Sequence, residues 1–187
     1  MFKYLLLMQI NLKRILIFGF SQLLILIILS NYIVDGTVNI MGNNGFKVGS
    51  KTFMIEEVEG LEFSTDQHYN EVFSQPYATF FILKDIGNNQ VEMVLSGTQI
   101  RTNDYQNFDD IISDYKKDST ITVFSAEQIN DYLFIKFRSS KDSSRIYYSR
   151  FYQAYPYFLQ LFGVSDEDSG DMPDEMKKAL NAVRIVE

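Results

Sequence analysis

The chemistry that the sequence could support begins with His68, the only histidine among the 187 residues. It lies in the segment STDQHYNEVFSQ (64–75), which also holds the serines and carboxylates that a Ser–His–acid triad needs. The serine of such a triad often stands on a sharp G-x-S-x-G turn, and the sequence contains no such pattern, no P-loop and no G-x-G-x-x-G motif. We therefore predict a protein that is not an enzyme and uses no cofactor, and keep a cryptic hydrolase as the last alternative.

Hard oxygen ligands are densest in SDEDSGD (165–171). The spacing departs from a calcium-binding EF-hand loop, because Gly170 falls one place early and Lys177 stands where the bidentate glutamate belongs. We predict no metal site here and interpret the segment as a solvated acidic loop before the last helix. A weak calcium site and a contact for a basic partner are the alternatives.

Tyrosine and arginine, which are enriched in protein-binding hot spots, are concentrated in SRIYYSRFYQAYPYFLQLF (144–162). Strand alternation makes both faces of this segment largely apolar, as expected of a central strand covered on both sides, so most of its rings belong to the core. The side chains expected to stay accessible are Tyr148, Tyr152 and Tyr155 beside Arg138 and Arg150. The predicted partner site joins this edge to the acidic loop and comprises Arg150, Tyr152, Tyr155, Asp166, Glu167, Asp168 and Asp171.

The pattern of apolar residues predicts the strands that must hold these side chains. The segments have the alternation or the short apolar runs of strands, and short turns between several of them join antiparallel neighbours: 51–58, 79–86, 90–100, 120–129 and 132–140. The preceding segment TVNIMGNNGFKVGS (37–50) indicates a linker or a loosely held first strand, because it is rich in Asn and Gly.

Two segments have the period of a helix instead. In NFDDIISDYKKD (107–118) the apolar residues fall on one stripe and Asn107 is a natural N-cap. A second amphipathic helix is predicted after Pro173, with an apolar stripe of Met176, Ala179, Leu180 and Val183.

A hydrophobic segment near the N-terminus predicts a membrane anchor. Residues 15–34, ILIFGFSQLLILIILSNYIV, carry no charge and follow Lys3, Lys13 and Arg14. A helix of this length spans roughly 30 Å, the thickness of the hydrocarbon core of a bilayer. The positive-inside rule keeps the short N-terminus in the cytoplasm and sends the rest of the chain across the membrane. We expect an uncleaved anchor rather than a signal peptide, since the apolar core is long and no A-x-A site follows it.

The part of the chain beyond the anchor is strongly acidic. All 24 acidic residues but only 14 of the 17 basic residues lie after residue 34, so this part has a net charge of −10. Such a surface repels nucleic acid and anionic lipid headgroups and favours a basic partner. The absence of cysteine means that the fold relies on its core without disulfides.

Three local patterns and the order of the elements resemble a known fold. The patterns are the acidic turn VEGLEF (58–63), the helix FDDIISDYKK (108–117) and the closing segment MPDEMKKALNAVRIVE (172–187). Over residues 46–187 the chain resembles the PsbP-like fold, which the lumenal subunit P of photosystem II shares with bacterial exported domains such as the DcrB group. The resemblance implies an α/β/α sandwich that binds proteins and is not an enzyme.

The predicted architecture is therefore an α+β domain, an antiparallel sheet flanked by helices, behind one N-terminal transmembrane helix. The predicted parts are an N-terminus with anchor (1–34), a linker (35–50) and an extracytoplasmic PsbP-like domain (51–187). We predict a single-pass protein of the bacterial inner membrane whose periplasmic domain binds another protein, one version being immunity against a secreted type VI effector. An envelope accessory protein that binds calcium or a small ligand is the alternative.

Overall fold

Two antiparallel sheets and three helices make up the part of the chain that the computed structural model describes, namely residues 39–40, 45–102, 105–166 and 171–186. The larger sheet has seven strands: β4 (Leu61–Ser64), β5 (Ala78–Gly87), β6 (Gln90–Arg101), β7 (Ile121–Ile129), β8 (Tyr132–Ser139), β9 (Asp142–Ala154) and β10 (Tyr157–Ser165). Their order is β4-β5-β6-β10-β9-β8-β7. The smaller sheet has the order β1-β2-β3-β11, formed by Asn39–Ile40, Gly45–Val48, Lys51–Ile55 and Val183–Val186. The helices are α1 (His68–Val72), α2 (Phe108–Lys117) and α3 (Asp174–Ala182).

Short turns determine much of the larger sheet. Asn88 and Asn89 join β5 to β6 with φ angles of 56° and 58°, the left-handed conformation that a type I′ hairpin turn requires. The β7–β8 and β8–β9 connections are equally short, so these strands pair as antiparallel neighbours. The predicted meander is confirmed.

The aromatic segment forms two central strands. It turns at Tyr155–Pro156, so that β9 and β10 pair with each other and lie in the middle of the larger sheet. Side chains on one face, such as Tyr148 and Leu159, enter one hydrophobic cluster, and those on the other, such as Phe151 and Phe158, enter another. The prediction that most of these rings belong to the core is confirmed.

The two faces of the larger sheet are covered differently. On one face the smaller sheet and α3 share its main hydrophobic cluster, to which Phe46, Phe53 and Leu180 contribute. On the other face α2 packs on β8, β9 and β10, while Tyr69 and Phe73, in and just after α1, pack on β5. The domain thus consists mostly of antiparallel sheets with few helices.

The helices follow their sequence signals. Asn107 caps α2, because its side chain accepts a hydrogen bond from the Asp110 backbone N–H at 3.1 Å and the Asp110 carboxylate accepts one from Asn107 N–H in return. In α3 the predicted stripe of Met176, Ala179 and Leu180 is buried. Both predicted helices are confirmed, except that Val183, predicted on the stripe of α3, begins β11 instead.

The second sheet departs from the sequence prediction. The segment predicted as a linker (35–50) or a loosely held first strand contains the strand β2, and its Phe46 and Val48 are fully buried. The reason is that β3 pairs with β2 on one side and with β11 on the other, which closes a sheet over the core. Helix α1 was also not predicted, since its five residues are too few to show a helical stripe.

Candidate functional site

Two members of the predicted partner site, Arg150 and Tyr152, lie inside the domain. Arg150 is 9% exposed and Tyr152 is 5% exposed. From β9 the Arg150 guanidinium donates to the carbonyl oxygen of Leu180 at 2.7 Å and to the Tyr152 hydroxyl at 3.3 Å. Burial raises the pKa of the Tyr152 phenol, and the neighbouring guanidinium opposes that rise. The prediction that these side chains stay accessible is wrong, because the end of α3 covers Arg150 and the start of β11 covers Tyr152.

Tyr148 is also buried, at 2% exposed, whereas Tyr155 is 71% exposed. Tyr155 stands in the turn between β9 and β10 and lines a cleft together with the start of α2. Of the predicted tyrosines it alone remains accessible. Its role in binding stays a prediction.

Asp166, where the acidic loop begins, is not at the same edge as Tyr155. Strand β10 separates them with nine extended residues, which span roughly 30 Å. Asp166, at the far end of β10, forms an ion pair with Arg145 at 2.6 Å, and Asp171 is exposed. Glu167 and Asp168 lie outside the described residues. The fold therefore does not assemble the predicted site as one surface.

His68 occupies the start of α1 and is exposed. Its backbone N–H donates to the Asp66 carboxylate at 2.9 Å, and its ring lies beside Tyr69 with the centroids 6.1 Å apart. In the described part of the chain the imidazole makes no hydrogen bond to a serine or an acid, so no triad is assembled there.

The same described residues contain neither a candidate metal cluster nor a membrane-spanning helix. No group of three or more histidine or acidic side chains in the described ranges could hold a metal ion. Nor is any helix in those ranges long and apolar enough to cross a membrane. The predicted anchor, residues 15–34, lies outside the described residues.

A different region combines apolar and charged side chains in one concave surface. We call it the glutamate cleft; it has a volume of about 560 Å³ and is lined by Ile55, Glu56, Glu57, Val58, Glu59, Leu61, Glu62, Phe63, Ile82 and Ala182. It lies where β3 ends, where the edge strand β4 begins and where α3 meets β11. The predicted acidic turn VEGLEF forms much of its wall.

A tight turn shapes this wall. The Leu61 backbone N–H donates to the Val58 carbonyl at 3.0 Å, and Gly60 has a φ of +80° between them. A glycine with positive φ at the third position is typical of a type II turn. Leu61 and Phe63, two residues apart on β4, then face the same way, and Phe63 packs on Phe80 with ring centroids 5.5 Å apart.

The charge of the glutamate cleft is only partly compensated. Glu56 pairs with Arg184 at 3.1 Å. Among the described residues Glu57, Glu59 and Glu62 form no ion pair, and all three are exposed. The nearby Lys84 is engaged by Glu175 at 3.0 Å, a contact that lowers the pKa of the Glu175 carboxyl. Three free carboxylates thus surround an apolar floor, an arrangement that attracts cations carrying some apolar surface.

Sequence reasoning recognised the acidic turn but not the cleft. The signal was present in EEVEGLEF (56–63), where glutamates alternate with apolar residues. Its floor, however, needs Ile82 from β5 and Ala182 from α3, which are distant along the chain.

Comparison with known proteins identifies no family for this chain. No protein-family model matches it, and no curated protein matches its sequence. Among solved structures it is similar to the solution structure of cyanobacterial PsbP from Synechocystis sp. PCC 6803, with a TM-score of 0.45 and 11% sequence identity. The likeness covers 81% of this chain and 98% of the PsbP chain. It concerns the fold alone, and no functional argument rests on it.

Proposed function

We propose that residues 38–187 form a non-catalytic protein-binding domain and that the glutamate cleft receives a basic segment of the partner. The observation that carries this proposal is the combination of an apolar floor with three carboxylates that lack an ion pair among the described residues. Lysine or arginine side chains of the partner meet these carboxylates, while an apolar side chain between them fills the floor.

Charge and shape have separate roles in this binding. The net charge of −10 beyond residue 34 speeds the encounter with a basic protein, and surface charges of this kind act mainly on the association rate. Lasting affinity comes from apolar contacts that exclude water, for which Leu61 and Phe63 are the half-buried candidates.

The location of the domain is part of the proposal. The uncharged segment 15–34 behind three basic residues supports a single-pass anchor in a bacterial inner membrane, with the domain in the periplasm. We also propose the PsbP-like α/β/α arrangement, because the order of strands and helices along the chain resembles the order in that fold. One concrete role is immunity, in which the domain binds and neutralises a secreted effector; a gene for a basic toxic protein beside this one is the finding that would favour it.

The experiment uses two synthetic peptides of nine residues, one alternating lysine with leucine and one alternating glutamate with leucine. Each is titrated into the full chain, reconstituted in phosphatidylcholine nanodiscs, by isothermal calorimetry. We expect the lysine peptide alone to bind. The triple substitution Glu57→Gln, Glu59→Gln, Glu62→Gln should weaken it by about tenfold or more, because each exposed ion pair contributes up to about 1 kcal/mol.

A matched control separates the cleft from overall charge. Replacing Glu71, Glu92 and Glu127 by glutamine removes the same charge from exposed positions that do not line the cleft. This variant should bind the lysine peptide nearly as the original chain does. Equal losses in the two triple variants would mean that the peptide senses only net charge, and the proposed site would be wrong.

A further inference from the structure

A second cleft, which we call the tyrosine cleft, opens at the other end of β3. Lys51, the first residue of β3, lines it, whereas Ile55, the last, lines the glutamate cleft. Its volume of about 460 Å³ falls within the range of small-molecule sites, roughly 300–1,000 Å³. Its lining includes the polar side chains of Asn107, Asp109, Gln128, Asn130 and Gln153 and the ring of Tyr155.

Tyr155 offers an open aromatic ring on a backbone that the fold holds in place. Its carbonyl oxygen accepts a hydrogen bond from the Ser50 backbone N–H at 2.9 Å. Gly49, with a φ of +52°, lies so close to the carbonyls of Ala154 and Tyr155 that a Cβ would overlap them. The backbone below the ring is therefore clamped, while the ring itself is 71% exposed. On a held backbone a tyrosine has only two side-chain torsions to lose, so its ring can stack on the apolar face of a ligand at a low cost in conformational entropy.

The rim of the tyrosine cleft carries both hydrogen-bond donors and hydrogen-bond acceptors. The Gln153 side-chain amide donates to the Gln106 carbonyl at 3.2 Å, which sets its direction. Gln128 and Asn130 are exposed and make no side-chain hydrogen bond within the described part of the chain. Each amide offers two donors and one acceptor, so the rim can match hydroxyl groups, which also donate and accept.

The charges of the cleft select against anions. Asp109 and Asp131 outnumber Lys51 among its lining residues. The N-terminus of α2, which could otherwise attract a phosphate, is already matched by its own carboxylate, since Asp110 accepts from the Gln106 backbone N–H at 2.8 Å. Apart from the Tyr155 ring, the cleft offers a ligand little apolar surface, because Phe108 is only 8% exposed.

We propose that the tyrosine cleft binds a neutral saccharide. One sugar ring stacks its C–H face on Tyr155. Its hydroxyl groups donate to the Asp109 carboxylate and exchange hydrogen bonds with the side-chain amides of Gln128 and Asn130. A sugar fits these observations because it combines an apolar face with a dense set of hydroxyls and carries no charge. The inference does not depend on peptide binding at the glutamate cleft.

The test titrates maltotriose, cellotriose and N,N′,N″-triacetylchitotriose into the full chain in phosphatidylcholine nanodiscs, which contain no sugar. We expect at least one of them to bind with a Kd below about 10 mM. Tyr155→Ala should weaken that binding by about tenfold, while Tyr155→Phe should change it by less than about threefold because the ring remains. The negatively charged 3′-sialyllactose should bind more weakly than the neutral sugars.

Tyr77 supplies the matched control, since it is a tyrosine exposed to 81% that does not line the cleft. Tyr77→Ala should leave the affinity unchanged. The proposal is overturned if none of the three neutral sugars binds, if Tyr77→Ala and Tyr155→Ala weaken binding equally, or if sialyllactose binds as tightly. Should Tyr155→Ala alter the near-UV circular dichroism, the double substitution Asp109→Ala, Gln128→Ala at exposed rim positions provides the same test. In either variant the lysine peptide should still bind at the glutamate cleft.

Discussion

Arg150 holds the end of α3 on the larger sheet, and its removal is the sharpest test of how the two layers are joined. Its guanidinium donates to the Leu180 carbonyl at 2.7 Å and lies 4.3 Å from the centroid of the Tyr132 ring. Leu180 belongs to the last turn of α3, whose carbonyl groups have no partner within the helix. A cation at this position also interacts favourably with the helix dipole. We therefore expect Arg150→Ala to destabilise the domain strongly.

The magnitude follows from the contacts that are lost. A hydrogen bond from a charged group contributes about 1.5–3 kcal/mol, and a desolvated cation–π contact adds about 0.5–2 kcal/mol. Because Arg150 is 9% exposed, water replaces it poorly and the Leu180 carbonyl is left without a donor. The free energy of unfolding should fall by about 2–5 kcal/mol. Arg150→Met keeps most of the side-chain volume and so preserves the packing of the aliphatic part, but it still loses the hydrogen bond and the cation–π contact. It should therefore be only slightly more stable than Arg150→Ala.

The assay is urea unfolding of the full chain in detergent, followed by the near-UV circular dichroism of its tyrosines, since the chain has no tryptophan. Arg145→Ala is the control, because Arg145 makes only exposed ion pairs with Asp142 and Asp166 and its loss should not be measurable. Hydrogen exchange should quicken first in α3 and β11. If Arg150→Ala costs less than about 1 kcal/mol, or no more than the control, Arg150 does not hold α3 and the reasoning fails.

Three further predictions concern the turns, the buried phenols and the anchor. In urea unfolding, Gly49→Ala should lower the free energy of unfolding by at least about 2 kcal/mol and Gly87→Ala by only about 1 kcal/mol. Both glycines have a positive φ, but only at Gly49 would a Cβ also overlap backbone carbonyl oxygens. Equal losses would contradict this reasoning. Burial raises the pKa of the Tyr115 and Tyr152 phenols. The unfolded chain therefore loses these protons at a lower pH than the folded chain does. The free energy of unfolding should stay constant below about pH 9 and fall as the pH rises through about 10. Tyr115→Phe should make the fall less steep in the same titration, and an unchanged slope would rule Tyr115 out as a source. The full chain should stay in the membrane pellet after a carbonate wash if residues 15–34 are an anchor, whereas a shortened soluble product would indicate a cleaved signal peptide.

Local signals were sufficient for the parts of the fold that short segments decide. The apolar stripe and N-cap of α2 lie within a dozen residues, and the Asn88–Asn89 turn needs only its own backbone preference. The two apolar faces of the aromatic segment indicated a strand covered on both sides, and β9 and β10 do lie in the middle of the larger sheet.

Contacts between distant segments were beyond the reach of these signals. Phe46 and Val48 stand in a segment rich in Asn and Gly, and their burial depends on β3 and β11 closing a second sheet. Arg150 beside tyrosines has the composition of an exposed hot spot. In the fold it is buried and donates a hydrogen bond to the carbonyl oxygen of Leu180, thirty residues later in the chain. Asp166 and Tyr155 are close in sequence, but an extended β10 places them at its opposite ends.

The sequence by itself determined the periods of the strands and helices, the acidic charge of −10 and the predicted anchor, because each is a property of composition or of neighbouring residues. Only the tertiary structure decided which tyrosines are exposed and which acidic residues face a cleft. Exposure and ion pairing depend on what packs against a side chain. Here that neighbour comes from β3 and the start of β11 for Tyr152, and from β3, β5 and the end of α3 for the floor of the glutamate cleft. The same tyrosine–arginine pattern can therefore be a core or a surface, and the pairing of distant strands makes the difference.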